Sequence, residues 1–263
     1  MKRTAITLLS AAIIFTTLIL LWVAIIRIFA IEPYLLPNPL AVAKTAIARF
    51  PSLLTSLAIT ASAAVGGLLA SIVIGVLIAL VFAQSRWVRR MFYPYTILLQ
   101  TVPIVAIAPL ILMWAGNDTF SVGLIAFIIC LSPIIANATQ GLVSVDRNLI
   151  DLFLMNNASR AQVLLKLRLP HALPSLFTGI RISSGIAVVG AITGELYAGS
   201  ARVGVGGIGY AIQYAHSQLE TDYLFALVVA ASVLGFALFF SVMFLEWLFL
   251  HQWHESARTP EDE

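Results

Sequence analysis

Residues 57–82 read LAITASAAVGGLLASIVIGVLIALVF, a run without Asp, Glu, Lys or Arg. About 20 apolar residues of helix cross the hydrocarbon core of a bilayer, so this run is long enough to span one. Backbone groups in lipid must be paired within their own segment, which favours a helix. The whole chain is 60% hydrophobic and 10% charged, whereas soluble domains are about 25% charged. The sequence therefore predicts an all-α membrane protein.

Five further apolar runs accompany this one. The six predicted transmembrane helices lie at about residues 4–29, 57–82, 93–114, 120–140, 173–198 and 223–250. The first follows Lys2 and Arg3, as in a signal peptide, but it exceeds the roughly 7–15 apolar residues of such a segment, so we expect a retained helix. Nothing indicates a second domain. We expect one transmembrane domain over residues 1–263, with a long connection at residues 141–172.

Basic residues predict the orientation of these spans. With the N-terminus in the cytoplasm, the inside segments carry eleven basic residues, Lys2, Arg3, Arg86, Arg89, Arg90, Arg147, Arg160, Lys166, Arg168, Arg181 and Arg258. The outside segments carry four, Arg27, Lys44, Arg49 and Arg202. The positive-inside rule then places both termini and residues 141–172 in the cytoplasm. Residues 31–56 lie outside, where four prolines predict irregular chain or a short surface helix.

Composition argues against several classes of site. The net charge is +3 and the basic residues form no stripe, so nucleic-acid binding is not supported. Cys130 is the only cysteine and shows no ligand spacing with the four histidines, so we expect no metal site. Residues 204–209 match G-x-G-x-x-G, but a dinucleotide site needs a strand before the motif. The chain has no G-x-x-x-x-G-K-[ST] motif, so any ATP must bind another subunit.

Polar residues within the spans are candidates for a translocation pathway. Prolines 103, 109 and 133 should bend the third and fourth spans and free backbone carbonyls. The polar residues near these bends are Gln100, Thr101, Ser132 and Asn137. They could line a pathway, or they could simply satisfy structural kinks. Glu195, near the outer end of the fifth span, is either a pathway or gate residue or an interfacial helix-end residue. Glu246, near the inner end of the sixth span, is expected at the interface.

Small residues repeat at four-residue spacing in the second span. Gly66, Ala70 and Ile74 share one stripe, and Gly67, Ser71 and Gly75 share the next. Small residues allow helix backbones to approach closely in lipid. The stripes either pack helices within the chain or form the seam of a homodimer, and the sequence leaves both open.

The connection before the fifth span carries an amphipathic pattern. Leu149, Leu152, Phe153 and Asn156 share one helical face, which predicts a short helix over residues 148–157. Asn157 is suited to end it, because Asn tolerates the left-handed conformation. A second helix should follow over residues 160–169, with Ser159 as N-cap and Pro170 as its end. Such a pair of helices either binds a partner or lies flat on lipid headgroups.

The same stretch resembles the EAA loop of ABC-importer permeases, which reads Glu-Ala-Ala, three residues, Gly, nine residues, Ile-x-Leu-Pro. Asp151 falls on the Glu, Asn157 on the Gly, Leu167 on the Ile, and Leu169-Pro170 on the Leu-Pro. Leu152-Phe153 replace the two alanines. The resemblance implies an ATPase-docking loop made of Asp151, Leu152, Phe153, Met155, Asn157, Ala158, Arg160, Leu167, Leu169 and Pro170.

Other segments resemble one group of these permeases, those for nitrate, taurine, sulfonates, and pyrimidine or flavin compounds. They are residues 33–39, Pro103 and Pro109, and residues 206–210. Residues 222–226 through Glu246 look most similar to the branch for thiamin-precursor pyrimidines or riboflavin. The resemblance implies a type I ABC importer permease in the bacterial inner membrane, with no catalytic activity and no cofactor of its own.

The expected partners are two ATPase subunits that bind ATP and Mg, a second permease copy, an external solute-binding protein and the lipid bilayer. A sulfonate-, taurine- or nitrate-type anion is the alternative solute. Three other classes stay open: an ion-coupled secondary transporter, which needs paired intramembrane charges; a membrane enzyme, which needs a catalytic cluster; and an assembly subunit that transports nothing. Among acidic residues, only Glu195 is expected as a charge at membrane depth.

Overall fold

The computed structural model describes residues 2–116, 118–199 and 206–251. These residues form helices and no β-strand. The helices are α1 (Lys2–Ile28), α2 (Pro39–Ala48), α3 (Phe50–Gln84), α4 (Arg86–Thr101), α5 (Ile104–Ala115), α6 (Thr119–Val143), α7 (Arg147–Met155), α8 (Arg160–Val163), a π-helical turn (Leu164–Arg168), α9 (Leu169–Ala198), α10 (Ile208–Ser217) and α11 (Thr221–Leu250).

Among the described residues, four helices are long and apolar enough to cross a membrane. They are α3, α6, the continuous helix Arg160–Ala198 and α11. The bent pair of α4 and α5 would make a fifth. In α1 the apolar stretch Ile13–Ile28 is a shorter helix. The all-helical membrane architecture is confirmed, whereas six spans and the orientation of the termini stay predictions.

The core forms where α6 packs between α3 and α9 at close range. A Cβ on Gly67 would lie 2.5 Å from the Gly123 carbonyl oxygen, and one on Gly190 would lie 3.0 Å from the Ala126 Cα. Hydrogen bonds cross the same seams: Ser71 donates to the Phe127 carbonyl over 2.8 Å, and Ser183 donates to the Cys130 carbonyl over 3.1 Å. Small residues therefore bring these helices together, as packing without a hydrophobic driving force requires.

The two small-residue stripes of α3 have different surroundings. Gly67, Ser71 and Gly75 are buried against α6. Gly66, Ala70 and Ile74 are exposed, and a Cβ on Gly66 would meet nothing within 4 Å among the described atoms. The buried stripe thus serves packing within the chain, and the exposed stripe stays uncovered.

The predicted third span is not a single helix, which corrects the expectation for residues 93–114. The chain bends by 98° between α4 and α5. Pro103 lacks an N–H and excludes the helical conformation from the residue before it, so Val102 is extended (φ −70°, ψ 121°). Pro109 and Pro133 lie inside α5 and α6, neither of which ends there.

Helix α3 contains the predicted span 57–82 and extends beyond it, beginning at Phe50 with Pro51 in the first turn, where its missing N–H costs nothing. One predicted helix end was wrong. Pro170 does not end a helix, since Arg160–Ala198 is continuous. In the π-helical turn before it, the Leu169 N–H bonds to the Leu164 carbonyl, and this wider turn leads the chain into Pro170 without a break. The short surface helix predicted within residues 31–56 is present as α2.

Candidate functional site

Helix α7 exposes apolar side chains at one end of the bundle. None of its residues is buried. Met155 is 83% exposed, Leu152 54% and Leu154 51%, while Phe153 is half-buried. The charged residues Asp151 and Arg160 are also exposed. An exposed amphipathic helix of this kind either binds a partner or lies on lipid headgroups, so its docking role stays a prediction.

The turn after α7 is built by residues that the sequence singled out. Asn157 adopts the left-handed conformation (φ 55°), and Ala158 N–H bonds to the Phe153 carbonyl over 3.0 Å. Ser159 and Gln162 form a capping box: Gln162 Oε1 accepts from Ser159 N over 2.7 Å, and Ser159 Oγ accepts from Gln162 N. The predicted breaker and N-cap are confirmed as local geometry.

A groove lies between α7 and α8. It has a volume of about 390 Å³ and is lined by Leu152, Phe153, Asn156, Asn157, Ala158, Gln162 and Lys166. The remaining predicted docking residues, Leu167, Leu169 and Pro170, are half-buried where the connection joins α9. Arg168 donates to the carbonyl of Ala83 over 3.0 Å and so ties this connection to the end of α3.

The four uncharged pathway candidates serve separate local contacts. Ser132 is buried and donates to the Thr96 carbonyl of α4. Asn137 donates to the Pro133 carbonyl over 2.8 Å. Thr101 donates to the Leu98 carbonyl over 2.8 Å, and Gln100 is exposed beside the 98° bend. Within the described residues, no hydrogen bond joins any two of these four, so their part in a pathway stays a prediction.

Glu195 lies inside the protein, at the end of the bundle opposite α7. It is 4% exposed. Its Oε2 accepts from Thr60 Oγ1 over 2.9 Å and from Gly209 N over 2.8 Å. Thr60 Oγ1 also accepts from Ile208 N over 2.8 Å. Neither Thr60 nor this use of the glycine-rich segment was predicted, because 135 residues separate Thr60 from Glu195.

At the same end of the bundle, an ion pair joins the start of α3 to the start of α11. Arg49 donates to Glu220 through two nitrogens, over 2.5 and 2.6 Å, and its guanidinium lies 4.8 Å from the ring centroid of Tyr223. Hydrogen bonding to Arg49 lowers the pKa of Glu220. Thr221 donates to the Tyr34 carbonyl over 2.7 Å. Residues 33–39 and 222–226, which carried part of the resemblance, therefore lie close together around a cavity of about 310 Å³.

A second ion pair joins α9 and α11. Arg181 of α9 lies 3.2 Å from Glu246 of α11. Glu246, which was expected at the inner interface, thus has an ion-pair partner within the chain, and its depth in the membrane stays a prediction. In the described ranges, no group of three or more His, Cys, Asp or Glu side chains could hold a metal ion.

Comparison of the sequence with known proteins places this chain in a family. Residues 71–249 match the family described as binding-protein-dependent transport system inner membrane component. The formylaminopyrimidine transport permease protein ThiX of Halalkalibacterium halodurans is 32% identical over 92% of this chain and 95% of its own. The riboflavin transport system permease protein RibX of Chloroflexus aurantiacus is 31% identical over 91% and 88%. A putative aliphatic sulfonates permease, SsuC of Bacillus subtilis, is 29% identical over 83% and 78%.

The match begins within α3, at residue 71, and runs through α4–α10 to the last turn of α11, so it includes the α7–α8 connection. The relatives are transport permeases rather than enzymes, and ATP hydrolysis resides in a separate subunit. The chain therefore belongs to the binding-protein-dependent inner membrane components and is a multi-pass permease subunit of an ATP-binding cassette importer.

Proposed function

We propose that this permease moves a pyrimidine-type thiamin precursor or a riboflavin-like compound across a bacterial inner membrane. An external binding protein delivers the solute, and an ATPase docked on residues 151–170 drives the cycle. The docking proposal rests on the exposed apolar face of α7 and the groove beside it. Both lie next to the start of the helix Arg160–Ala198, which continues into the membrane bundle.

The docking surface comprises α7 and the capped turn after it. Leu152, Phe153 and Met155 enter a groove of the ATPase, while Asp151 and Arg160 fix the orientation. Asn157 supports this assignment, because its left-handed backbone provides the turn for which the EAA pattern has Gly. The π-helical turn joins α8 to α9 without a break, so a push on the connection displaces the base of α9 directly.

The assembly has two permease copies, two ATPase subunits and one external binding protein. Helix α1 and the bent pair α4–α5 complete six spans, with both termini in the cytoplasm. ATP binding closes the ATPase dimer, and the docking connection carries this movement into the bundle. This mechanism requires that the bundle has two states and that its outward-open state binds the closed ATPase dimer more tightly than its inward-open state does.

The solute assignment rests on the extent of similarity. The relatives named for formylaminopyrimidine and riboflavin match across at least 91% of this chain. A second candidate is a small sulfonated anion, because permeases named for aliphatic sulfonates and taurine are also similar to this chain. Those matches are shorter and cover 83% and 65% of the chain.

Reconstituted transport tests the proposal. The permease is assembled in proteoliposomes with the ATPase and binding protein encoded beside it, and uptake of labelled formylaminopyrimidine, riboflavin and taurine is measured with and without ATP. We expect ATP-dependent uptake of one of the first two. Uptake of taurine alone would select the sulfonate alternative, and uptake driven by an ion gradient without ATP would contradict the proposed mechanism.

A further inference from the structure

We propose that Glu195 is a positioning residue that fixes α10 to the far end of α9 and α3, rather than a group that meets the solute. The contacts form one set, which we term the Glu195 node: Thr60 of α3, Glu195 of α9, and Gly207, Ile208 and Gly209 at the start of α10. The inference uses the proposed transport cycle only for its functional readout.

The node supplies the N-terminal cap that α10 lacks. The N-cap residue is Gly207, which has no side chain to accept from the first free N–H groups. Thr60 accepts from Ile208 and Glu195 accepts from Gly209, so two distant side chains satisfy the first two amides. Unpaired amides are costly away from water, and a carboxylate is favoured at the positive end of a helix.

The glycines before and within α10 leave room for this carboxylate. A Cβ on Gly207 would lie 1.9 Å from Glu195 Oε1, and one on Gly209 would lie 2.4 Å from the Ile192 carbonyl oxygen. Both distances are shorter than real Cβ contacts, so a side chain at Gly207 would displace the Glu195 carboxylate, and one at Gly209 would displace the backbone of α9. Gly207 and Gly209, which belong to the stretch that formally matches a nucleotide motif, are therefore shaped as a seat for Glu195.

The burial of Glu195 favours a role in positioning α10 over direct contact with a solute. Thr60 is 0% exposed and Glu195 4%, with α10 packed against them. Glu195 Oε1, which has no hydrogen-bond partner among the described residues, lies against Gly207 at the start of α10, so α10 covers the carboxylate in this conformation. Glu195 also lies near the far end of the same continuous helix that begins at Arg160 in the docking connection. The node thus makes α10 follow the movement of α9 and α3 during the cycle.

Hydrogen–deuterium exchange of the assembled transporter tests the capping contacts. In Glu195→Ala and Thr60→Val, we expect the amides of Gly209 and Ile208, respectively, to exchange about tenfold faster, the factor for loss of one such hydrogen bond. Glu195→Gln keeps an acceptor oxygen and should exchange like the wild type. Thr55→Val is the matched control, because Thr55 is exposed and bonds only to the Pro51 carbonyl. Wild-type exchange in both Glu195→Ala and Thr60→Val would overturn the inference.

Uptake distinguishes positioning from solute contact. Glu195→Ala and Thr60→Val should lower the maximal rate without changing the half-saturating solute concentration, and Glu195→Gln should restore the rate. A changed half-saturating concentration or solute preference in Glu195→Gln would assign Glu195 to the pathway instead, and unchanged uptake in Glu195→Ala would remove its functional role. Because exchange is measured without transport, failure of the proposed solute or driving force leaves the exchange test intact. If Glu195→Ala does not assemble, Thr60→Val decides.

Discussion

The docking connection and the Glu195 node lie at opposite ends of one continuous helix, and their chemistry is opposite. The connection exposes apolar side chains such as Met155, 83% exposed, and buries no residue of α7. The node buries polar groups and pairs Thr60 Oγ1 and Glu195 Oε2 within the chain, while Glu195 Oε1 has no hydrogen-bond partner in the part of the chain that the structure describes. An exposed apolar face gains free energy only when a second molecule covers it. A polar group taken out of water is costly unless it finds a hydrogen-bond partner inside the protein. We therefore expect the first region to be an interface, whereas the second region ties helices of the chain together.

The largest expected effect follows from placing a charge in the docking groove. Phe153→Asp should weaken binding of the ATPase by about 30-fold or more, because a central aromatic contact is worth about 2 kcal/mol or more. Co-purification of the ATPase with the permease measures this. Leu219→Asp is the matched control, since Leu219 is an exposed apolar residue (73%) at the other end of the bundle. Equal co-purification of both variants would remove the distinction between the two regions.

Adding a methyl group in the Glu195 node should have the next largest effect, here on the stability of the permease itself rather than on ATPase binding. Gly207→Ala forces an atom against the Glu195 carboxylate, and overpacking of this kind costs about 1–3 kcal/mol. Thermal unfolding in detergent should show a lower Tm. Gly185→Ala, in the same helix as Glu195 with nothing within 4 Å of its added Cβ, should be neutral or slightly stabilising. A neutral Gly207→Ala would show that the seat for Glu195 is not needed.

The left-handed turn predicts a smaller and more local effect. Asn157→Val should cost about 1–2 kcal/mol, because a β-branched residue is strained at a φ of 55°. The expected consequence is weaker coupling of ATP hydrolysis to uptake, with the membrane bundle intact. Asn157→Gly, which accepts this conformation, should couple like the wild type. Equal coupling in Asn157→Gly and Asn157→Val would show that the turn does not need a residue suited to the left-handed conformation.

The Arg49–Glu220 pair should contribute least, because both side chains are partly exposed (43% and 34%). Such pairs stabilise by about 0.2–1 kcal/mol. The folded state lowers the pKa of Glu220 from its ordinary value of 4.5, so this stabilisation is present above that value and is lost as the pH falls through the lower folded pKa. Glu220→Gln should therefore lower the Tm slightly at pH 7, and the difference should vanish well below pH 4.5. A difference that persisted at acid pH would assign the effect to packing.

The features that could be predicted from the sequence are those set by residues close together in the chain, namely long helices and helix ends. Four apolar runs became long helices, and Asn157 and Ser159 took the backbone roles expected of Asn and Ser at helix ends. The size of the bend at Pro103 was not predictable, since proline removes a hydrogen bond but the direction after it depends on packing. Nor were the pairs Thr60–Glu195 and Arg49–Glu220, separated by 135 and 171 residues, because helical periodicity reports only which residues share a face.

Cross-linking tests the central claim most directly, that α7 rather than the opposite end of the bundle receives the ATPase. Cys130 is 0% exposed, so Met155→Cys and Leu219→Cys variants each add one accessible thiol. In the assembled transporter, a short reagent that links cysteine to amines should join the ATPase to the Met155→Cys variant and not to the Leu219→Cys variant. Cross-links to the ATPase from Leu219→Cys, with none from Met155→Cys, would contradict the account.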